Sequence, residues 1–272
     1  MLGKLIKHEF RATARLMLPL ALVVLLLSCF TRLSSAILQG RSYAPFILRL
    51  LNGLLTSGFI LSLIVAAVFS VVMMVSRFYK NLMTDEGYLI FTLPVSIHQI
   101  LWSKLIVATV WFIAVFCVDA LGIFIVSYHG GMFREFFSGM REIFGALNHY
   151  YGFSGIACVL EILVLLLVSL IVSCLNFYAP IAVGHSFSGH KILLSVVFYF
   201  AFGIVWQIVG MTSMFGGIDL LSTESFFAVE SAAKMLSYVH YGLLSAIGAV
   251  ALSGAVMYVV TWRMLKRHLN LQ

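Results

Sequence analysis

The sequence has 272 residues, of which 62% are hydrophobic and only 10% charged, with a mean hydropathy of +1.08. That charge content is far below the roughly 25% of a soluble domain, which excludes a water-soluble enzyme and predicts an all-α integral membrane protein. The formal net charge of +7 sits beside apolar runs and not on a polar module, so it suits anionic lipid head groups and argues against nucleic acid.

The chain begins with a basic amphipathic stretch over residues 1–15. Leu2, Leu5, Ile6 and Phe10 recur at helical spacing, while Lys4, Lys7, Arg11 and Arg15 fall on another face, the pattern of a helix lying in the membrane interface. Pro19 suits a turn from that helix into the first span. "LLSC" (Leu26 to Cys29) resembles a lipoprotein cleavage box, but the long basic lead with Glu9 and the apolar runs downstream make a first span the simpler reading.

Six stretches are long and apolar enough to cross a bilayer, at residues 16–37, 52–76, 104–128, 156–180, 192–211 and 239–261. They lack the alternation of barrel strands, so a helical bundle is expected. Cys29, Cys117, Cys158 and Cys174 all lie in apolar runs and are expected to be four free thiols. With the N-terminus inside, Lys4, Lys7, Arg11, Arg15, Arg77, Lys80, Lys104, Lys191, Arg263, Lys266 and Arg267 fall on the cytoplasmic side, against Arg32, Arg41, Arg49, Arg134, Arg141 and Lys234 outside. The bias places both termini in the cytoplasm of a multi-pass cell-membrane protein.

Between the second and third spans runs "RFYKNLMTDEGYLIFTLPVSIHQILWSKLI", the most carefully punctuated segment of the chain. Thr84 can cap a short helix of about eight residues, with Asp85 and Glu86 in its positive first turn, and Pro94 ends it. Ser96 and Gln99 then form an S-x-x-Q capping box, with Val95 and Ile100 at the staple positions, so a second helix starts before the membrane and continues into it.

This loop, with D-E-G-Y, T-L-P-V-S and S-K in order, resembles the loop after the second span in permease subunits of type 2 ABC exporters. The N-terminal "KLIKHEFRATARLMLPL" is similar to the connecting helix of the same family. The specific motifs cover under a fifth of the residues; span count and terminal orientation agree over the rest. The resemblance implies a coupling helix seated on a cytoplasmic ATPase subunit, with Asp85, Glu86, Gly87 and Tyr88 at the contact and Ser96 and Gln99 fixing the lever behind it. It also implies a second permease subunit, identical or homologous, and no cofactor in this chain, ATP and Mg being bound by the ATPase.

Other motifs carry less. "GHSFSGHK" (Gly184 to Lys191) misses a phosphate-binding loop, because its lysine comes one position late and no hydroxyl follows. "GFSG" (Gly152 to Gly155) with His240 resembles the rhomboid intramembrane serine proteases, in which Ser154 would be the nucleophile; the surroundings of His240 depart from that family's glycine pattern. A membrane sensor or immunity protein is a third class. No metal site is expected, His185 and His190 reading as interfacial histidines.

Three charges are expected inside the bilayer at similar heights: Arg32, Asp119 and Glu161, as either an exit-side polar patch or a buried ion pair. Ser245, Ala249 and Ser253 make a small-residue stripe on the last span. Gly216 and Gly217 are expected to break the segment before it, which by family similarity holds short re-entrant helices.

Overall fold

The computed structural model describes residues 1–39, 45–84, 86–92, 94–128, 130–146, 153–187, 189–222 and 232–267, with the backbone alone at 146, 153–155, 209–222, 232–239 and 267. Every element among them is a helix: α1 (Leu2–Gln39), α2 (Phe46–Met83), α3 (Glu86–Thr92), α4 (Ile97–Ser127), α5 (Met132–Ala146), α6 (Phe153–Gly184), α7 (Lys191–Ser222) and α8 (Ala232–Arg267). Six of these, α1, α2, α4, α6, α7 and α8, are long and apolar enough to cross a membrane. The all-helical multi-pass architecture expected from hydropathy is therefore present, and all four cysteines are free.

The structure differs from expectation at two breaks. No turn separates the first fifteen residues from the first span, because α1 runs unbroken through Pro19. Proline removes one backbone donor, a loss that a long helix held by its neighbours absorbs. Likewise α7 continues through Gly216 and Gly217 to Ser222, since glycine lowers helix propensity without blocking the hydrogen-bond ladder. The expected continuation into 223–231 lies outside the described residues.

The chain forms two compact units. One comprises residues 1–78 and 98–132, the other 79–97 and 133–272. In the first, Val24 of α1 meets Phe59 and Ala66 of α2, with Val115 and Val118 of α4 packed against them. A second cluster joins Met17 of α1 to Val107 and Trp111 of α4. Hydroxyls inside these helices donate back to carbonyls three or four residues earlier, as Ser28 does to Leu25 and Ser62 to Phe59, which satisfies them without water. Thr31 instead donates across to the Leu55 carbonyl at 3.1 Å, tying α1 to α2.

In the second unit α6 packs against both α7 and α8. Phe177 of α6 stacks on Tyr199 of α7, ring centres 5.2 Å apart. At the α6–α7 corner the helices nearly touch: a Cβ on Gly184 would lie 2.2 Å from Ser195 Oγ and 2.5 Å from the Ser195 backbone nitrogen. Against α8 the close approach is made by Gly254, where a Cβ would lie 2.6 Å from a Val172 methyl. The stripe expected to play that part does not, since Ser245 and Ala249 are exposed and only Ser253 is buried.

Helix α5 was not anticipated. Phe133, Phe136, Phe137, Met140, Ile143 and Phe144 are all exposed along one helical stripe, with Arg134, Glu135, Ser138, Arg141 and Glu142 elsewhere on the circumference. Such a face belongs in a lipid interface. Gly131, at φ 103°, supplies the left-handed residue just before α5 begins.

Gly184→Ala is expected to destabilise the chain by about 1–3 kcal/mol, because the obstacle is backbone and cannot swing aside. A lower Tm in detergent, without a matching loss for Gly203→Ala, whose Cβ meets nothing within 4 Å, checks this.

Candidate functional site

The loop between α2 and α4 holds a seven-residue helix, α3. Glu86 and Tyr88 are exposed while Gly87 between them is buried, so the helix turns its charged and aromatic side outward and its smallest residue inward. Leu89 is 73% exposed beside Tyr88. Asp85, expected beside Glu86, lies outside the described residues. Thr84 does not cap α3 with its side chain as expected: its hydroxyl donates to the Lys80 carbonyl at the end of α2, and its carbonyl accepts from Gly87 N–H at 2.7 Å. Thr84 thus closes the outgoing helix and opens the next with separate groups.

Ser96 stands immediately before α4, at the cap position, and Gln99 in its first turn, the register of the expected capping box. Ile100 at the staple position is buried and Val95 half-buried.

Behind this start, α4 is clasped to the amphipathic part of α1. Lys104 Nζ donates to Glu9 Oε1 at 2.8 Å, with the two side chains only 4% and 13% exposed. Two turns further along α4, Trp111 Nε1–H donates to Thr13 Oγ1 at 2.7 Å, and that hydroxyl donates to the Glu9 carbonyl at 2.9 Å. Phe10 stacks on the Trp111 ring at 4.9 Å. Lys4, Lys7, Arg11 and Arg15 are exposed on the rest of the helix surface. The first fifteen residues therefore carry two faces, one basic and open, the other bonded to α4.

The three charges expected to share a height are arranged differently. Arg32 lies over the Tyr128 ring, 5.9 Å from its centre, and makes no ion pair with Asp119. Asp119 lines a cavity of about 100 Å³ among Met17, Leu20, Ala66, Trp111 and Val115, and its Oδ1 is buried without a hydrogen-bond partner among the described residues. Glu161 is taken by His240, whose Nδ1 lies 2.9 Å from both carboxylate oxygens. The same imidazole lies against Cys158, with Sγ 3.5 Å from Nε2. Sequence spacing hides this cluster, since 79 residues separate Glu161 from His240; the only local signal is Cys158 and Glu161 three apart on one helix face. The Ser154 side chain, the other half of the protease reading, lies outside the described residues.

His185 closes the α6–α7 corner. It is buried, its Nδ1–H donates to the Ile181 carbonyl at 2.9 Å, and its ring meets Tyr79 of α2 edge-on at 5.2 Å. Tyr79, His185, His190 and Lys191 line a cavity of about 820 Å³ at this end of the second unit. Burial pushes the His185 pKa down, the Ile181 carbonyl opposes this, and Lys191 lowers it further.

No family model, curated protein or solved structure matches this chain.

Two outcomes are expected. Lys104→Met or Glu9→Gln alone should cost about 3–5 kcal/mol, whereas replacing both by apolar residues should recover much of that loss, as read from Tm in detergent. His185, with a folded pKa below its ordinary value near 6.5, contributes stability that is present above pH 6.5 and fades as pH falls through its folded pKa. Thermal unfolding between pH 7.5 and 5 should show that loss, and His185→Gln should flatten it.

Proposed function

We propose that this chain is the membrane-spanning permease subunit of an ATP-driven exporter, working with a separate cytoplasmic ATPase and a second permease subunit. The observation that carries the reading is α3: a short helix slung between the ends of two long apolar helices, with Glu86, Tyr88 and Leu89 exposed at its surface. The likeness of "TDEGYLIFTLPVS" to the coupling loop of type 2 ABC permeases supports it, as do six apolar helices.

In this reading α3 and both termini face the cytoplasm, the side favoured by the basic residues. ATP and Mg are held by the partner, whose closure pulls on α3. The pull enters α4 through Pro94 and the Ser96 cap, and the Lys104–Glu9 and Trp111–Thr13 bonds deliver it to α1, so two spans move together between inward and outward access. This chain breaks no bond itself. Its open basic face, Lys4, Lys7, Arg11 and Arg15, lies against anionic lipid and keeps the entry helix at the surface.

Affinity purification in mild detergent from the native host should bring down a stoichiometric ATPase. Reversing Asp85 and Glu86 to lysine, or Tyr88→Ala, should release it while leaving the detergent Tm unchanged. A folded wild-type chain that retains no ATPase overturns the reading.

A further inference from the structure

Cys158 and Glu161 are three residues apart on α6 and so project from one face, toward His240 on α8. The juxtaposition rests on more than these side chains. Fourteen residues beyond Cys158 on α6 is Val172, and fourteen beyond His240 on α8 is Gly254, where the two helices are in close contact. The helices therefore run parallel and in register, and two contacts about 21 Å apart fix that register together.

We propose that Cys158, Glu161 and His240 form a binding site for a divalent transition-metal ion, with a donor set suited to Zn²⁺. One sulfur, one imidazole nitrogen and one carboxylate oxygen lie within 4.8 Å of one another. A tetrahedral Zn²⁺ with bonds of about 2.3 Å to sulfur and about 2.0–2.1 Å to nitrogen and oxygen sets its ligands about 3.6 Å (S to N) and about 3.3 Å (N to O) apart. The observed Sγ to Nδ1 distance is 3.8 Å and Nδ1 to carboxylate 2.9 Å, each within a few tenths of an ångström of that geometry, and the sulfur lies within 4.8 Å of the carboxylate, which closes on an ion by side-chain rotation.

Binding displaces the proton of the Cys158 thiol and takes the imidazole as the neutral ring, with its N–H on the nitrogen away from the ion. Thiolate, carboxylate and neutral imidazole then balance a divalent cation, leaving no net charge at the bilayer edge, where a bare ion is costly. Two protein-held anions and one imidazole leave the fourth position open.

Position supplies access. Cys158 is five residues from the start of α6 at Phe153, and His240 eight from the start of α8 at Ala232, so the cluster stands near the same ends of both helices. Glu161 and His240 side chains are 18% and 21% exposed, enough for an ion and its water. The cluster is 26 residues, about 39 Å, along α6 from Gly184, so it faces the side of the membrane opposite the Tyr79–His185 corner.

The same three groups also stand in the order of a nucleophile, base and orienting acid. Cys158, however, is only 9% exposed, which leaves a carbonyl substrate little room to reach the sulfur. A carbonyl substrate must reach the sulfur itself; an ion enters past the partly exposed Glu161 and His240.

The test is Co²⁺ titration of the full chain, purified in detergent without a histidine tag. A single Co²⁺ per chain with a thiolate charge-transfer band, displaced by Zn²⁺, is expected. Cys158→Ser should lose the band while Cys29→Ser keeps it, and Glu161→Gln should weaken binding by about 10–100-fold or more. Zn²⁺ should also raise the Tm of the wild type and not of Cys158→Ser, which reports on the site even if another variant folds poorly. Absence of the band in the folded wild type, or its persistence in Cys158→Ser, overturns the proposal. None of these readouts depends on the permease reading or its ATPase.

Discussion

A polar group in hydrocarbon has no water to turn to, so each one must find its partner within the chain. The helices here are shaped by that demand. Their serines and threonines fold back onto their own carbonyls, and the few polar contacts that leave a helix, such as Thr31 to Leu55 and Trp111 to Thr13, become its joints. Lys104 and Glu9 are the extreme case, a nearly buried ion pair linking the amphipathic lead of α1 to the start of α4. Asn52 Oδ1 and Asp119 Oδ1 depart from the rule, both buried in the first unit without a hydrogen-bond partner among the described residues.

The spans were legible because apolar length is a local property, and α3 because its flanking signals, Thr84, Pro94 and Ser96, are local too. What sequence concealed was of two kinds. Pro19, Gly216 and Gly217 weaken helices in water, but a helix whose donors have no alternative in lipid runs on through them. The second kind is pairing across helices. Counting residues predicts one height for Glu161 and Asp119, yet height leaves azimuth undetermined, and Glu161 is bonded to His240. The stripe of α5 was present as Phe133, Phe136, Phe137 and Met140, and escaped notice because it is too short and polar to suggest a span.

The two ends of the second unit differ in character. At the corner of α6 and α7, close backbone approach and a buried histidine leave little freedom. At the far end of α6 the chemistry is ionisable and partly wet.

The shared offset of fourteen residues on α6 and α8 limits how this unit can move. Sliding one helix past the other by a turn, about 5.4 Å, would part Cys158 from His240 and drive Val172 off its glycine in the same step. The pair is keyed at two teeth. It can tilt or swing as a single rod, but it cannot work as a piston, and any motion handed to it must leave as rotation.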